Sequence, residues 1–164
     1  MRGKSLALVE KATTAGYVFP LAWFRSHGIN DIGTYFGDYF FTGSHDGTID
    51  AVLNNKADVG AAKNTIYEQR RKEDPRIDSE LLILANSPRV PSNALCVLEK
   101  LDEQSKGQIK ELLLNLHQDP EGLEILKILG AKRFVETSSE DYQPVYSLAK
   151  EAGLDLNNYD YFNP

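Results

Sequence analysis

Short apolar runs alternate with amphipathic stretches over the first part of the chain. The runs Ser5–Val9, Tyr39–Phe41 and Ala57–Ala62 have the length and composition of buried strands. The stretches between them predict helices from about Val18 to Ser26 and from His45 to about Asn54. Strands that alternate with helices are typical of an α/β fold with a parallel sheet.

The remaining sequence predicts more elements and becomes mainly helical after Leu101. We expect a helix at Thr65–Lys72, a strand at Leu81–Leu84, an extended segment at Asn93–Leu98, two helices capped by Asp102 and Asp119, and a last helix from Glu140 to Ala152. The predicted division is an α/β ligand-binding domain of residues 1–92, followed by a crossover strand and a helical segment of residues 93–164.

Charge and composition exclude several classes of protein. The chain has 164 residues with 18 basic and 24 acidic side chains, a net charge of −6, so we expect no broad binding of nucleic acid or of anionic membranes. No apolar run approaches the roughly 20 residues of a membrane span, and Leu6–Val9 is too short for a signal-peptide core. The single cysteine, Cys96, excludes an internal disulfide and a multi-cysteine metal site. Backbone amides can still bind a small anion.

The segment Thr13-Thr14-Ala15-Gly16, between a predicted strand and a predicted helix, is the strongest candidate site. In open α/β sheets ligands bind beyond the carboxyl ends of the strands. Amides at a helix start, together with the helix dipole, favour an anion there, and Gly16 allows close approach of the backbone. The alternative is an ordinary helix start with a flexible glycine and no ligand.

Two further strand–helix junctions carry hydrogen-bonding groups at the same predicted sheet edge. His45 follows the second strand and could donate a ring N–H to an anion, although a solvated or capping histidine is the common alternative. Lys63 and Thr65 follow the third strand, where a lysine is usually only solvated. The convergence of three junctions favours a binding site more than any one of them does.

An enzyme is not favoured by the sequence. We find no nucleophile elbow, no phosphate-binding P-loop, no dinucleotide fingerprint and no histidine pair at metal spacing. The histidines His27, His45 and His117 fall on separate predicted elements. The sequence therefore predicts a binding protein without a catalytic site, a cofactor or a metal ion.

The ordered series of motifs resembles the phosphate/phosphite/phosphonate-binding proteins of ABC transporters. The matching stretches, spread over nearly the whole chain, are Lys4–Val9, Thr13–Tyr17 with Pro20, Ser44–Asp46, Ala57–Ala61, Ser87–Asn93, Glu121–Leu126 and Asp141–Val145. The resemblance implies a type II periplasmic-binding-protein fold: one complete ligand-binding lobe, followed by the helical return segment of a first lobe whose earlier part is missing.

The family resemblance also implies a ligand and the residues that bind it. It implies that Thr13, Thr14, Ala15 and His45 contact the oxyanion, although Ala15 replaces a serine and could contribute only its amide. Family members that bind aminophosphonates use carboxylates for the amine, and Thr65 and Asn93 stand at the corresponding positions. We therefore expect phosphate, phosphite or a simple alkylphosphonate as the ligand.

The resemblance further implies a role and partners. It indicates the solute-binding protein of an ABC importer, which works outside the inner membrane with a permease. The alternative is a ligand-sensing domain of the same fold from a signalling protein. We also expect the C-terminal helices either to pack back on the sheet of residues 1–92 or to associate as a homo-oligomer, because their apolar face has little of its own lobe to cover it.

Overall fold

A computed structural model describes residues 1–162 of the chain, which form two compact units. The first unit comprises Met1–Val90 together with the chain from Gln143, and the second comprises Pro91–Tyr142. The predicted division after residue 92 lies close to the first of these breaks. The last helix, which the sequence analysis placed in the second part, groups with the first unit instead.

The first unit contains a parallel sheet of three strands in the order β2-β1-β3. The strands are β1 (Ser5–Leu8), β2 (Asp38–Phe41) and β3 (Val59–Gly60). Leu6 of the central strand lies opposite Tyr39 on one side and Val59 on the other. β1 is flanked on both edges and covered on both faces, and its sequence is accordingly a continuous apolar run.

The helices confirm most of the helical predictions. They are α1 (Phe19–Ser26), α2 (Ile32–Tyr35), α3 (His45–Leu53), α4 (Asn64–Glu73), α5 (Arg76–Glu80) and α8 (Gln143–Glu151) in the first unit, with α6 (Glu103–Asn115) and α7 (Pro120–Leu129) in the second. A π-helical turn at Thr14–Val18 precedes α1, and 3-10 turns occupy Leu116–Gln118 and Ser139–Tyr142.

Local chemistry explains where several helices begin. Pro20 lies in the first turn of α1, where its missing N–H costs no helical hydrogen bond. The Ser44 side chain caps α3 by accepting a hydrogen bond from the Gly47 amide at 3.0 Å. Asp102 caps α6 and Asp119 caps α7 in the same way. These caps are encoded locally, so the sequence predicts them well.

The two faces of the sheet pack against different helices. Leu6 and Leu8 point to one face and form a core with Phe24, Ile29 and Phe36. On the other face, small residues let α3 approach closely. Ala7 packs with Ala51 and Ala57 there, and a Cβ added to Gly60 would lie 2.8 Å from Cγ2 of Val52.

The C-terminal helix α8 packs on α1. Leu148, Ala149 and Ala152 form a buried cluster with Val18 and Ala22. In the second unit, by contrast, α6 and α7 keep large apolar side chains exposed, including Leu112 at 63% and Ile128 at 87%.

Three predicted extended segments differ from the structure. Leu81–Leu84 was expected to be a strand, and this prediction is wrong, since the segment has no regular structure. Asn93–Leu98 also forms no strand, and Ala57–Ala62 contributes only Val59–Gly60. A strand exists only where a neighbour pairs with it, and no described strand pairs with the first two segments. In the described part of the chain no helix has both the length and the apolar character needed to cross a membrane.

Candidate functional site

All three strands run in parallel, so their carboxyl ends lie at one edge of the sheet. β1 leads to residues 10–16, which we call the β1–α1 loop. β2 leads to Ser44 and His45, and β3 leads to Lys63 at the start of α4. The three junctions singled out in the sequence therefore meet at the same edge, the position where open α/β sheets bind ligands.

The β1–α1 loop presents three successive amides without acceptors. Within residues 1–162, the N–H groups of Thr14, Ala15 and Gly16 have no hydrogen-bond partner. They open the π-helical turn that leads into α1, where the first amides of a helix lack internal acceptors. The loop thus supplies the kind of donor set that binds an oxyanion.

Thr13 has a different role in this conformation. Its amide donates to the Glu10 carbonyl at 3.0 Å, and its hydroxyl donates to the same carbonyl at 2.7 Å. Both donors of Thr13 are therefore engaged within the loop. The Thr14 hydroxyl has no partner in the described residues and remains available.

Gly16 is required by packing. A Cβ at this position would lie 2.5 Å from Cβ of Val9 and 2.7 Å from Oγ1 of Thr13. The Gly16 carbonyl also accepts a hydrogen bond from the Val9 amide at 3.2 Å. The end of β1 and the start of the helical turn are thus held in direct contact.

His45 is oriented by the backbone of the next junction. Its Nδ1 accepts a hydrogen bond from the Lys63 amide at 3.1 Å, so in the neutral ring the proton is on Nε2. Burial, followed by the charge of Lys63, lowers the pKa of His45 below its usual value, while Asp46 and Glu10 act weakly in the opposite direction. The ring is therefore a neutral Nε2–H donor at pH 7.

The remaining candidates occupy different places. Lys63 is half-buried at the N-cap of α4 and close enough to His45 to influence its charge. Thr65 is exposed in the first turn of α4. Asn93 is exposed in an irregular segment of the second unit. The first unit thus brings together Thr13–Gly16, His45, Lys63 and Thr65 at one sheet edge.

Sequence reasoning missed two sets of supporting residues. The Thr42 hydroxyl contacts the Leu8 carbonyl, the Ser44 carbonyl and the Thr48 hydroxyl, which braces the β2–α3 junction. The Tyr159 hydroxyl donates to the Lys11 carbonyl at 2.7 Å across 148 positions of sequence. No local pattern signals contacts between residues so far apart. Within residues 1–162 no group of three histidine, cysteine or acidic side chains could hold a metal ion.

Comparisons with known proteins point to one family. The family model of the periplasmic substrate-binding protein of ABC phosphonate transporters matches residues 1–142. The chain is 29% identical over 122 residues to a probable ABC transporter phosphite binding protein, PhnD1, of Prochlorococcus marinus, covering 71% of the chain and 40% of that protein. It is 26% identical over 99 residues to the phosphonates-binding periplasmic protein of Escherichia coli, covering 60% of the chain and 29% of that protein.

Solved structures establish the fold. A binding protein component of an ABC phosphonate transporter from Pseudomonas aeruginosa matches with a TM-score of 0.80 at 19% identity, over 93% of this chain and 50% of that one. PhnD1 of Prochlorococcus marinus in complex with methylphosphonate matches with a TM-score of 0.74 at 22% identity, over 93% and 58% of the two chains. The α/β architecture predicted from the sequence, that of a periplasmic binding protein, is confirmed, and the chain spans less than two thirds of each of these proteins.

Proposed function

Because the chain belongs to the family of periplasmic substrate-binding proteins of ABC phosphonate transporters, we propose that it binds a tetrahedral phosphorus oxyanion at the carboxyl edge of its sheet. One observation carries this proposal. The three unpartnered amides of Thr14, Ala15 and Gly16 lie at the same edge as the imidazole of His45, whose Nε2–H is left available by the Lys63 amide.

Each part of the site contributes a donor suited to an anion. The amides and the dipole of the helical turn stabilise negative charge without requiring a positive side chain. The Nε2–H of His45 and the hydroxyl of Thr14 add directional hydrogen bonds, and the Lys63 ammonium adds long-range attraction. A hydrogen bond to a charged group contributes about 1.5–3 kcal/mol.

The ligand we propose carries no amine. Thr65 and Asn93, which the family resemblance aligns with amine-binding carboxylates, are uncharged. Phosphate, phosphite and methylphosphonate should therefore bind better than 2-aminoethylphosphonate. The donors described above approach from one sheet edge, so the anion stays partly hydrated and we expect weak binding by this chain alone.

The family supports a proposal for the biological role. Its members are substrate-binding transport proteins, and we propose that this chain is part of the solute receptor of an ABC importer in the periplasm, delivering the anion to a permease. The exposed apolar side chains of α6 and α7 support self-association of the chain as a further proposal. Sedimentation equilibrium that shows only monomer would contradict that part.

Isothermal titration calorimetry on the full chain tests the ligand proposal. Phosphate, phosphite, methylphosphonate, 2-aminoethylphosphonate and sulfate are titrated into the wild type, His45→Ala and the matched control His27→Ala. Loss of one charge-assisted hydrogen bond should weaken oxyanion binding by about 10-fold to 100-fold in His45→Ala. His27 contacts Trp23 at the far end of α1, so its variant should bind normally.

Three results would contradict the proposal. If none of the phosphorus oxyanions binds, the site does not take this ligand class. If His45→Ala binds as tightly as the wild type, the imidazole is not a ligand donor. If 2-aminoethylphosphonate binds best, the inference that the ligand lacks an amine is wrong.

A further inference from the structure

The chain that follows α8 returns to the β1–α1 loop. Leu154 packs against the cluster formed by α1 and α8. Five residues later, the half-buried Tyr159 donates its hydroxyl to the Lys11 carbonyl at 2.7 Å. This is a contact between the C-terminal tail and the loop that carries the three unpartnered amides.

The hydrogen bond from Tyr159 means that two successive carbonyls of the β1–α1 loop accept hydrogen bonds from the protein. The Glu10 carbonyl accepts the amide and hydroxyl of Thr13, and the next carbonyl, that of Lys11, accepts the Tyr159 hydroxyl. A carbonyl that faced the anion would repel it, because its oxygen carries partial negative charge. Two successive carbonyls are therefore held by donors of the protein, while the amides of residues 14–16 are left unpaired.

We propose that Tyr159 is a positioning residue for the oxyanion site, and that its hydroxyl fixes the Lys11 peptide so that the following amides converge on the ligand. This inference rests on the proposed function. It gives the C-terminal tail a role in ligand binding, although the tail and the loop lie at opposite ends of the sequence.

The chemistry of Tyr159 suits a permanent donor. Burial, reinforced by Tyr17 and Asp160, raises the pKa of the Tyr159 phenol. The hydroxyl therefore stays protonated throughout the neutral pH range. Tyr17, which follows Gly16 directly, is close enough to Tyr159 to influence its charge.

The variant Tyr159→Phe removes only the hydroxyl, and Tyr161→Phe is its matched control. Tyr161 is a tail residue that is 55% exposed, stacks on Phe162 and has no hydroxyl partner in the described residues. Calorimetry with methylphosphonate and with phosphate should show binding about twofold to tenfold weaker for Tyr159→Phe, because a hydrogen bond that only orders the loop adds to binding at most its own net energy. Tyr161→Phe should match the wild type.

Amide hydrogen exchange without ligand reports on the loop itself. The amides of Tyr17 and Val18 donate to the Thr13 carbonyl at 3.1 Å each and should exchange several-fold faster in Tyr159→Phe. The Ala152 amide, which donates to Leu148 in α8, should not change. Faster exchange at Tyr17 and Val18 together with unchanged exchange at Ala152 would show that the loop has loosened while α8 stays in place. If Tyr159 served only to hold α8, exchange at Ala152 would rise as well.

The outcomes separate this inference from the proposed function. If the wild type binds the anions and Tyr159→Phe binds them equally well, the positioning role is wrong. If Tyr17 and Val18 exchange at the wild-type rate in Tyr159→Phe, the role is wrong as well. If the wild type binds neither anion, the proposed function fails, and exchange at Tyr17 and Val18 alone decides whether Tyr159 orders the loop.

Discussion

The two ring nitrogens of His45 have different environments, and this difference decides which nitrogen can donate a hydrogen bond. Nδ1 accepts the Lys63 amide, which only a neutral ring allows. Burial lowers the pKa of His45 from its usual value of 6.5. Since the folded-state pKa is the lower one, the neutral ring stabilises the fold fully above pH 6.5, and this contribution is lost as the pH falls through the folded-state pKa.

Lys63 lies at a position where a proline can replace the backbone N–H. Lys63 has φ −70° and ψ 132° at the N-cap of α4, values that proline adopts readily. Lys63→Ala removes the ammonium and keeps the N–H, whereas Lys63→Pro removes both. Both variants should raise the His45 pKa, and Lys63→Pro should raise it further, because the hydrogen bond that favours the neutral ring is lost.

Nuclear magnetic resonance titration of the His45 ring measures this difference. Long-range proton–nitrogen correlations should show the Nε2–H form in the wild type and in Lys63→Ala, and a mixture of tautomers in Lys63→Pro. Equal pKa values and equal tautomer populations in the two variants would show that the Lys63 amide does not orient the ring.

Gly16 should tolerate no side chain, although it lies in a loop. In Gly16→Ala the new Cβ would meet Val9 at 2.5 Å. Val9 is a buried β-branched residue directly after β1, so it cannot move aside cheaply. We expect a loss of about 1–3 kcal/mol in the free energy of unfolding. The measurement is urea denaturation.

Gly107→Ala is the matched control for the glycine substitution. A Cβ at Gly107, inside α6, meets no atom within 4 Å, so alanine should stabilise that helix by up to about 1 kcal/mol. A Gly16→Ala variant as stable as the wild type would mean that Val9 and Gly16 are not in close contact.

Residues whose environment is local could be predicted from the sequence. The caps at Asp102 and Asp119 follow from residue type and position before an amphipathic stretch. The engagement of Thr13 with Glu10 and the brace from Tyr159 could not be predicted, since they depend on the path of the folded backbone. The Lys63 amide was missed because backbone groups carry no sequence signal.

At the scale of elements, β1 and β3 are clamped together at their amino ends by Asp58. Its carboxylate accepts the Ser5 amide at 2.9 Å, the Ser5 hydroxyl at 2.8 Å and the Lys4 ammonium at 2.9 Å. In return, the Asp58 amide donates to Oγ of Ser5 at 3.0 Å. These contacts tie a strand of only two residues to the centre of the sheet.

The clamp should make stability depend on pH in the acid range. The hydrogen bonds from the Ser5 amide, Lys4 and the Ser5 hydroxyl lower the pKa of Asp58 from 3.8 to about 2. A depressed folded-state pKa means that this contribution is present above pH 3.8 and is lost as the pH falls towards 2. Asp58→Asn should lower the urea midpoint at pH 7. Between pH 3.8 and pH 2 its urea midpoint should also fall less than that of the wild type.

Asp38→Asn serves as the control for the clamp. Asp38 is exposed at the start of β2, on the other edge of β1. Its variant should keep the acid dependence of the wild type. An Asp58→Asn protein that loses stability on acidification as steeply as the wild type would show that the clamp does not titrate as described.

Helices were predicted better than strands, and the reason is physical. A helix satisfies its backbone from its own residues, so caps such as Asp102 and Asp119 mark it in the sequence. A strand depends on a neighbour that the local sequence does not specify. Leu81–Leu84 has a strand-like composition, yet α5 ends at Glu80 and the residues that follow find no strand partner among residues 1–162.

At the scale of the whole chain, a net charge of −6 is compatible with the proposed anion site. The donors at the site are mainly backbone dipoles and a neutral ring, which act over short distances whatever the surface charge. The edge of the sheet where they meet was predictable, because it follows from the order of strands and helices and not from any contact. The donor geometry at that edge was not predictable, because it depends on tertiary hydrogen bonds.

The C-terminal helix α8 (Gln143–Glu151) should fold together with the sheet, although it lies far from the strands in sequence. Leu148 is 5% exposed and packs in one cluster with Val18 and Ala22 of the α1 region. Leu148→Ala should cost about 2–5 kcal/mol in the free energy of unfolding, the range for truncating a buried leucine to alanine. The exposed Leu156, at 47%, offers a control in Leu156→Ala, whose cost should stay within about 0.5 kcal/mol.

Hydrogen exchange at the β1 amides of Leu6, Ala7 and Leu8 distinguishes a shared core from independent folding of α8. If α1, α8 and the sheet unfold as one cooperative unit, Leu148→Ala should accelerate exchange at these strand amides by the factor that its loss of stability predicts. Unchanged exchange at β1, with faster exchange confined to α8, would show that α8 docks on a sheet that is already stable without it. In that case the brace from Tyr159 could detach from the β1–α1 loop while the sheet remained folded.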